Sequence, residues 1–262
     1  FNAGNGFSTT INLEKGPVQH IRAKYNDRNQ TPIPINGTDP YANVDGTRNP
    51  HYLTLRDVAP VIGWFYNPKL GQVWYENRHN NTEVYSVRQM AEPAIPAAPK
   101  FGGLVIAKVP GMNGSDGNVF FGEWAPRKGN PPQNSTDLNM ADGKRTVWYV
   151  GDNPTRNMPK LVNAKYNVLG VNKHTPGRND FYTGTLTANY GTGSGSLTGS
   201  ISRPGDSVNF AGTNIRSNGT FDNGKANEHI TGRFYGSGAE ALAGIVDRAG
   251  VDKDIAFGGR KQ

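Results

Sequence analysis

From Thr183 to Ser202 the chain reads TGTLTANYGTGSGSLTGSIS. Small polar residues alternate with Leu186, Ala188 and Tyr190, the chain turns through Gly191 to Gly195, and the alternation resumes with Leu197, Gly199 and Ile201. A period of two is that of a strand with one buried face, and two such runs around a Gly-rich turn predict a β-hairpin. Similar runs predict strands at 161–170, 207–215, 219–222, 227–235, 242–247 and 254–258, with Asn-Gly and Arg-Pro-Gly turns between some of them. With TVWYV at 146–150 this makes eight or nine strands in the last 119 residues. So many short strands fit a small closed antiparallel barrel, which leaves no exposed sheet edge. A membrane-spanning barrel would need a lipid-facing apolar row on strands of roughly ten residues. Here Thr, Ser, Gly and Asn fill many of the outward positions.

The first part of the chain is less regular and more aromatic. Strands are expected at 17–25, 72–76, 83–89, 101–109 and 118–124, and only 52–62 has a short-helix pattern. The polar, turn-forming stretch KGNPPQNSTDLNMADG at 128–143 separates the two textures. The resulting expectation is a mainly β chain: an irregular β-rich N-terminal ligand-binding domain over 1–143, followed by a C-terminal eight-stranded antiparallel β-barrel over 144–262.

Composition agrees with this and removes other classes. There are 34 Gly and 18 Pro in 262 residues and no Cys. A helical bundle is therefore disfavoured, and a disulfide framework, a thiolate nucleophile and a cysteinyl metal site are excluded. The longest apolar stretches, such as FGGLVIAKV at 101–109, are too short for a spanning helix. The chain starts at Phe1 without a leader, which suggests a processed, secreted form. Residues 1–143 hold 13 Lys and Arg against 12 Asp and Glu, and residues 144–262 hold 15 against 9, so the net charge of +7 divides into +1 and +6. The cations are dispersed and no nucleic-acid motif accompanies them, so no nucleic-acid partner is expected. A basic barrel suits docking to an acidic protein.

No Walker A run, serine-elbow spacing or His-x-x-x-His pair is present, and the carboxylates are scattered. An enzyme is not expected. Histidine remains available as an axial ligand to haem iron, with aromatic side chains covering the ring and Arg pairing the propionates. His51 and His79 are the preferred pair because each lies in an aromatic stretch, PHYLTLRDVAPVIGWFYNP at 50–68 and VWYENRHNNTEVYSVRQM at 73–90. Two imidazoles on one iron would favour transport over catalysis. Tyr52, Trp64, Phe65, Tyr66, Trp74 and Tyr75 could wall the ring or form a core, and Arg56, Arg78 and Arg88 could hold propionates or face solvent. A single axial His, or His20 as one member, is an open alternative. Met90 and Met112 lack diagnostic neighbours, and His174 and His229, in the barrel half, are expected to face solvent.

The closing segment ITGRFYGSGAEALAGIVDRAG…DIAFGGRKQ at 230–262, with DFYTGTLTANYGTGSGSLTGSIS at 180–202 and VFFGEWAP at 119–126, resembles the hemophilins. These are secreted haem-binding proteins whose barrel is like that of transferrin-binding-protein-like, Slam-dependent surface lipoproteins. The resemblance implies a hemophore from a Gram-negative bacterium that carries haem b (iron protoporphyrin IX) on its N-terminal domain. It implies a Slam-type outer-membrane translocator, host haemoproteins as the haem source and a TonB-dependent receptor as destination. Lipidated relatives keep a cysteine at the mature terminus, so a Cys-free chain looks like the released form, expected to be a monomer. The family has no single ligation scheme and does not assign His51 and His79. The same barrel also accompanies domains that bind host proteins, so an adhesin-like module without haem is the alternative.

Overall fold

A computed structural model describes residues 51–53, 71–89, 103–112, 115–125, 138–175 and 178–262. The strand expected at 17–25 and positions 54–62 of the expected helix lie outside these residues, while Tyr52 and Leu53 are strand.

Among the described residues fifteen strands form two antiparallel sheets. The first has the order β1(His51–Leu53), β2(Gly71–Arg78), β3(Thr82–Gln89), β4(Gly103–Lys108), β5(Val119–Ala125) and β6(Thr146–Gly151), each strand pairing with the next. The second holds β7(Leu161–Val171), β8(Tyr182–Gly191), β9(Ser194–Arg203), β10(Asp206–Asn209), β11(Thr213–Arg216), β12(Thr220–Asp222), β13(Glu228–Tyr235), β14(Ala241–Arg248) and β15(Ile255–Lys261). Strand β15 pairs with β7, which closes the second sheet on itself. Strands β10 and β11 share one edge of β9, β10 against residues 200–203 and β11 against 194–197. They occupy a single place in the ring, so the barrel is eight-stranded and antiparallel, as the sequence predicts.

The β8–β9 turn shows why the local signal was strong. Thr192 and Gly193 both have positive φ, 53° and 88°. A two-residue hairpin of matching twist requires that pair of conformations, and glycine adopts one of them without steric cost.

Alternating positions fill the barrel. Tyr166, Tyr182, Phe210, Phe221, Phe234 and Phe257 point into one apolar cluster with Leu186, Leu197, Ile201 and Ile230. Edge-to-face contacts join Tyr166 to Phe234 and Phe210 to Phe257, with ring centroids 5.5 and 5.1 Å apart. An eight-stranded barrel has just enough interior for its own side chains, and this one is filled by them. The Tyr166 hydroxyl donates to the carbonyl of Ala239 at 2.6 Å, and burial raises its pKa above the ordinary phenol value.

Strands β7, β14 and β15 are buried on their outer side as well. Leu169, Val171, Ala241, Ala243 and Ala256 pack against Val84, Val105, Ala107 and Phe121 of the first sheet. Small residues permit this approach: a Cβ on Gly258 would stand 2.5 Å from the Phe121 ring, and one on Gly151 would stand 2.4 Å from the Tyr235 ring. The first sheet therefore lies on the outside of the barrel across a shared dry layer. The run at 146–150, expected as a barrel strand, is β6 at the edge of the first sheet. The two sheets thus divide after Gly151. TVWYV has the alternation of any half-buried strand, and alternation does not say which sheet the strand joins.

Candidate functional site

Register places the sequence-predicted ligands. His51 pairs with Val73 on β2, and the row continues through Val87, Leu104 and Trp124. Tyr52 pairs with Gln72, in the row of Arg88 and Gly103. Trp74 stands opposite Ser86, one row further along β2. His51, Tyr52, Trp74 and Arg88 thereby stand in three neighbouring rows at one end of the first sheet, the His51 row on one face and the other two on the opposite face.

His79 is at the other end. It starts the tight turn His79–Asn81 that joins β2 to β3, where Asn80 and Asn81 both take left-handed conformations, and it is exposed. It lies six positions beyond Val73, the partner of His51, a span of roughly 20 Å at about 3.3 Å per residue. One imidazole reaches a metal only by its own length plus a bond of about 2 Å. The register does not bring His51 and His79 to one iron. Their 28-residue spacing looked compatible with a pair of loops, but the described part of the interval before His79, Gly71–Arg78, is one strand. Arg78, half-buried, has its guanidinium 6.0 Å from the ring centre of Phe181 on the barrel side. Arg56, Trp64, Phe65, Tyr66, His20 and Met90 lie outside the described residues. Positions 56 to 66 fall in the connection between β1 and β2, whose ends Leu53 and Gly71 pair.

On the side of the first sheet away from the barrel, Tyr85, Leu104, Ile106, Phe120, Trp124 and Trp148 are all buried. The Trp148 indole lies over Gly122, where a Cβ would come within 2.9 Å of it. This aromatic face belongs to strands outside the two segments, 50–68 and 73–90, from which most of the candidate ligand residues were taken, Tyr85 on β3 apart. Its signal was available in VFFGEWA at 119–125 and VWYV at 147–150, two short strand-like runs that between them hold five aromatics.

Between the sheets runs a buried polar network that sequence reasoning missed. Glu123 on β5 and Arg145 just before β6 are 1% and 3% exposed and pair at 2.5 Å. The Glu123 carboxylate also accepts the backbone N–H groups of Lys173 and His174, each at 2.8 Å. Arg145 donates to the carbonyls of Val251 and Asp254. One ion pair of the first sheet thus holds two connections of the barrel, β7–β8 and β14–β15. A charge inside an apolar strand, as in VFFGEWA, is the signal that could have found it, since burial without a partner is prohibitive.

His174 corrects its expected solvent position. It is 1% exposed, bonds Asp180 through Nδ1 and stacks on Phe181 with ring centroids 4.3 Å apart. The barrel exterior is not all solvent-facing, because the first sheet covers part of it. His229 is half-buried on β13 opposite Asp247. Among the described residues no three His, Asp or Glu side chains gather as a metal site.

Residues 156–261 match the family model described as the HphA C-terminal domain. The barrel is thus similar to the HphA C-terminal domain. The matched span contains all nine of β7 to β15, and the resemblance to hemophilins read from 180–202 and 230–262 rests on the same strands. The matched barrel has a filled interior, and its glycine- and alanine-rich β14 and β15 serve two packing layers. Its outer layer faces the first sheet, where the candidate ligand residues are.

Proposed function

We propose that the chain is a secreted hemophore of a Gram-negative bacterium, which carries haem b as cargo on its N-terminal half and delivers it to a TonB-dependent outer-membrane receptor. The observation that carries this reading is the match of the closed barrel to the HphA C-terminal domain, with an aromatic sheet packed on its outside. In this reading host haemoproteins supply the haem, and the barrel is the part handled by a Slam-type translocator. Haem supplies the iron whose axial positions an imidazole fills. The chain's own part is to give that imidazole, an apolar wall and cationic groups for the propionates.

His51 is the proposed axial ligand. It shares its register row with Leu104 and Trp124 on the face away from the barrel, whereas Tyr52, Trp74 and Arg88 stand in the neighbouring rows, which alternate to the other face. Arg56, Trp64 and Tyr66 belong to the same proposed site through the β1–β2 connection. His79, at the far end of β2, does not ligate the same iron in this reading, and Arg78 beside it does not hold a propionate. His51→Ala is therefore expected to change the Soret and visible bands of the haem complex, and His79→Ala to leave them unaltered. Absorption spectra of the two variants, each titrated with haemin, check this. An unchanged spectrum in His51→Ala would remove His51 from the site, and a changed one in His79→Ala would restore the two-histidine scheme.

A further inference from the structure

We infer that one end of the barrel carries a docking cleft for an acidic peptide segment of a partner protein. The cleft has a volume of about 440 Å3 and opens between the β7–β8 connection, the start of β10 and the β14–β15 connection. It is lined by four cations, Lys173, Arg203, Arg248 and Lys253, and by three acids, Asp206, Glu228 and Asp252. Two of the cations are matched within the cleft. Arg248 grips Asp206 with both terminal nitrogens, at 2.6 and 3.2 Å, and lies 3.4 Å from Glu228; Lys173 pairs with Asp252 at 3.0 Å.

Arg203 is oriented but not neutralised. Its Nη1 donates to the carbonyls of Asn172 and Asp180 at 2.8 and 3.0 Å, its Nη2 to the side-chain oxygen of Asn172 at 2.6 Å, and its guanidinium stands 4.5 Å from the ring centre of Tyr182. All three acceptors are neutral. Among the described residues no carboxylate pairs with Arg203 or with the exposed Lys253. A planar guanidinium held in place by neutral groups, with its charge unmatched, is suited to a carboxylate.

The lining also selects the class of partner. Tyr182 is its one aromatic residue and Ala249 its one aliphatic residue, so a porphyrin would find no apolar walls there. The interspersed Asp206, Glu228 and Asp252 would repel a continuous phosphate backbone, and hydrogen bonds from Arg248 hold Asp206 ionised, with a pKa of about 2. A peptide can set carboxylates at the free cations and amides at the acids. The rim residues Asn172, Lys173, Asp252 and Lys253 belong to the two connections that Glu123 and Arg145 secure, so the first sheet helps to shape the cleft. The inference does not depend on haem carriage.

The test is an NMR titration of the full chain with hexaglutamate, with hexaglutamine as control. Saturable amide shifts around Asn172, Arg203 and Lys253 are expected with hexaglutamate alone, fading in high salt. Arg203→Gln and Lys253→Gln should each weaken the binding, roughly tenfold for Arg203→Gln. Lys253 is exposed and its replacement leaves the network intact, so a fold defect in Arg203→Gln would not obscure the result. The inference is overturned if hexaglutamate produces no saturable shifts at the cleft, if Lys253→Gln binds as the parent does, or if a single-stranded oligonucleotide shifts the same amides more tightly.

Discussion

Glu123→Ala is expected to lower the unfolding free energy by about 3–5 kcal/mol. The substitution leaves the Arg145 guanidinium buried without its counter-charge, and it removes the acceptor of two backbone N–H groups, those of Lys173 and His174. Either loss alone is destabilising, since an orphaned buried donor costs about 1–3 kcal/mol and an unpaired buried charge costs more. Glu123→Gln should cost less, because its carbonyl oxygen still accepts. Adding Arg145→Met to Glu123→Ala should recover part of the loss by removing the stranded charge, though the two N–H groups stay unpaired. Urea unfolding of the four proteins, followed by tryptophan fluorescence, supplies the comparison. A cost below about 1 kcal/mol for Glu123→Ala would mean that the pair does not clamp the sheet to the barrel.

Gly258→Leu should have the second largest effect. Even the first carbon of the new side chain would sit 2.5 and 2.6 Å from two Phe121 ring carbons, and Phe121 is fully buried between the sheets. Neither partner can rotate clear, because Gly258 pairs with both Ala243 and Leu169 on its neighbouring strands. The sheet must lift from the barrel, at a cost of about 1–3 kcal/mol for overpacking. Because the interface is continuous, the parent protein should unfold in one transition, and Gly258→Leu should broaden or split it. A substitution that is silent in both midpoint and width would show that the dry layer is not a shared core.

The barrel was legible because each of its strands carries its own evidence. The alternation over 183–202 and the Gly-marked turns specify a hairpin locally, and β7 to β15 fall close to the expected runs. What local pattern does not encode is which element covers a strand's second face. AFGG at 256–259 reads as a Gly-weakened barrel strand, whereas Gly258 is the gap that admits Phe121. The same limitation put TVWYV in the wrong sheet and His174 in solvent. At the candidate site, the residue types were recognisable but their spacing was not. His51 and His79 looked like neighbours across two loops, and the pairing of β2 with β1 and β3 places them at opposite ends of a strand. Glu123 was overlooked because a lone carboxylate has no motif; its meaning comes from Arg145, 22 residues later.

Haem carriage by this chain is read out by an absorption titration of the 262-residue apo protein with haemin. The account predicts a Soret change that saturates at one haem per chain and is altered in His51→Ala. A haemin spectrum that never saturates, or that only reproduces haemin in buffer, would contradict haem carriage and leave the barrel attached to a domain that binds something else.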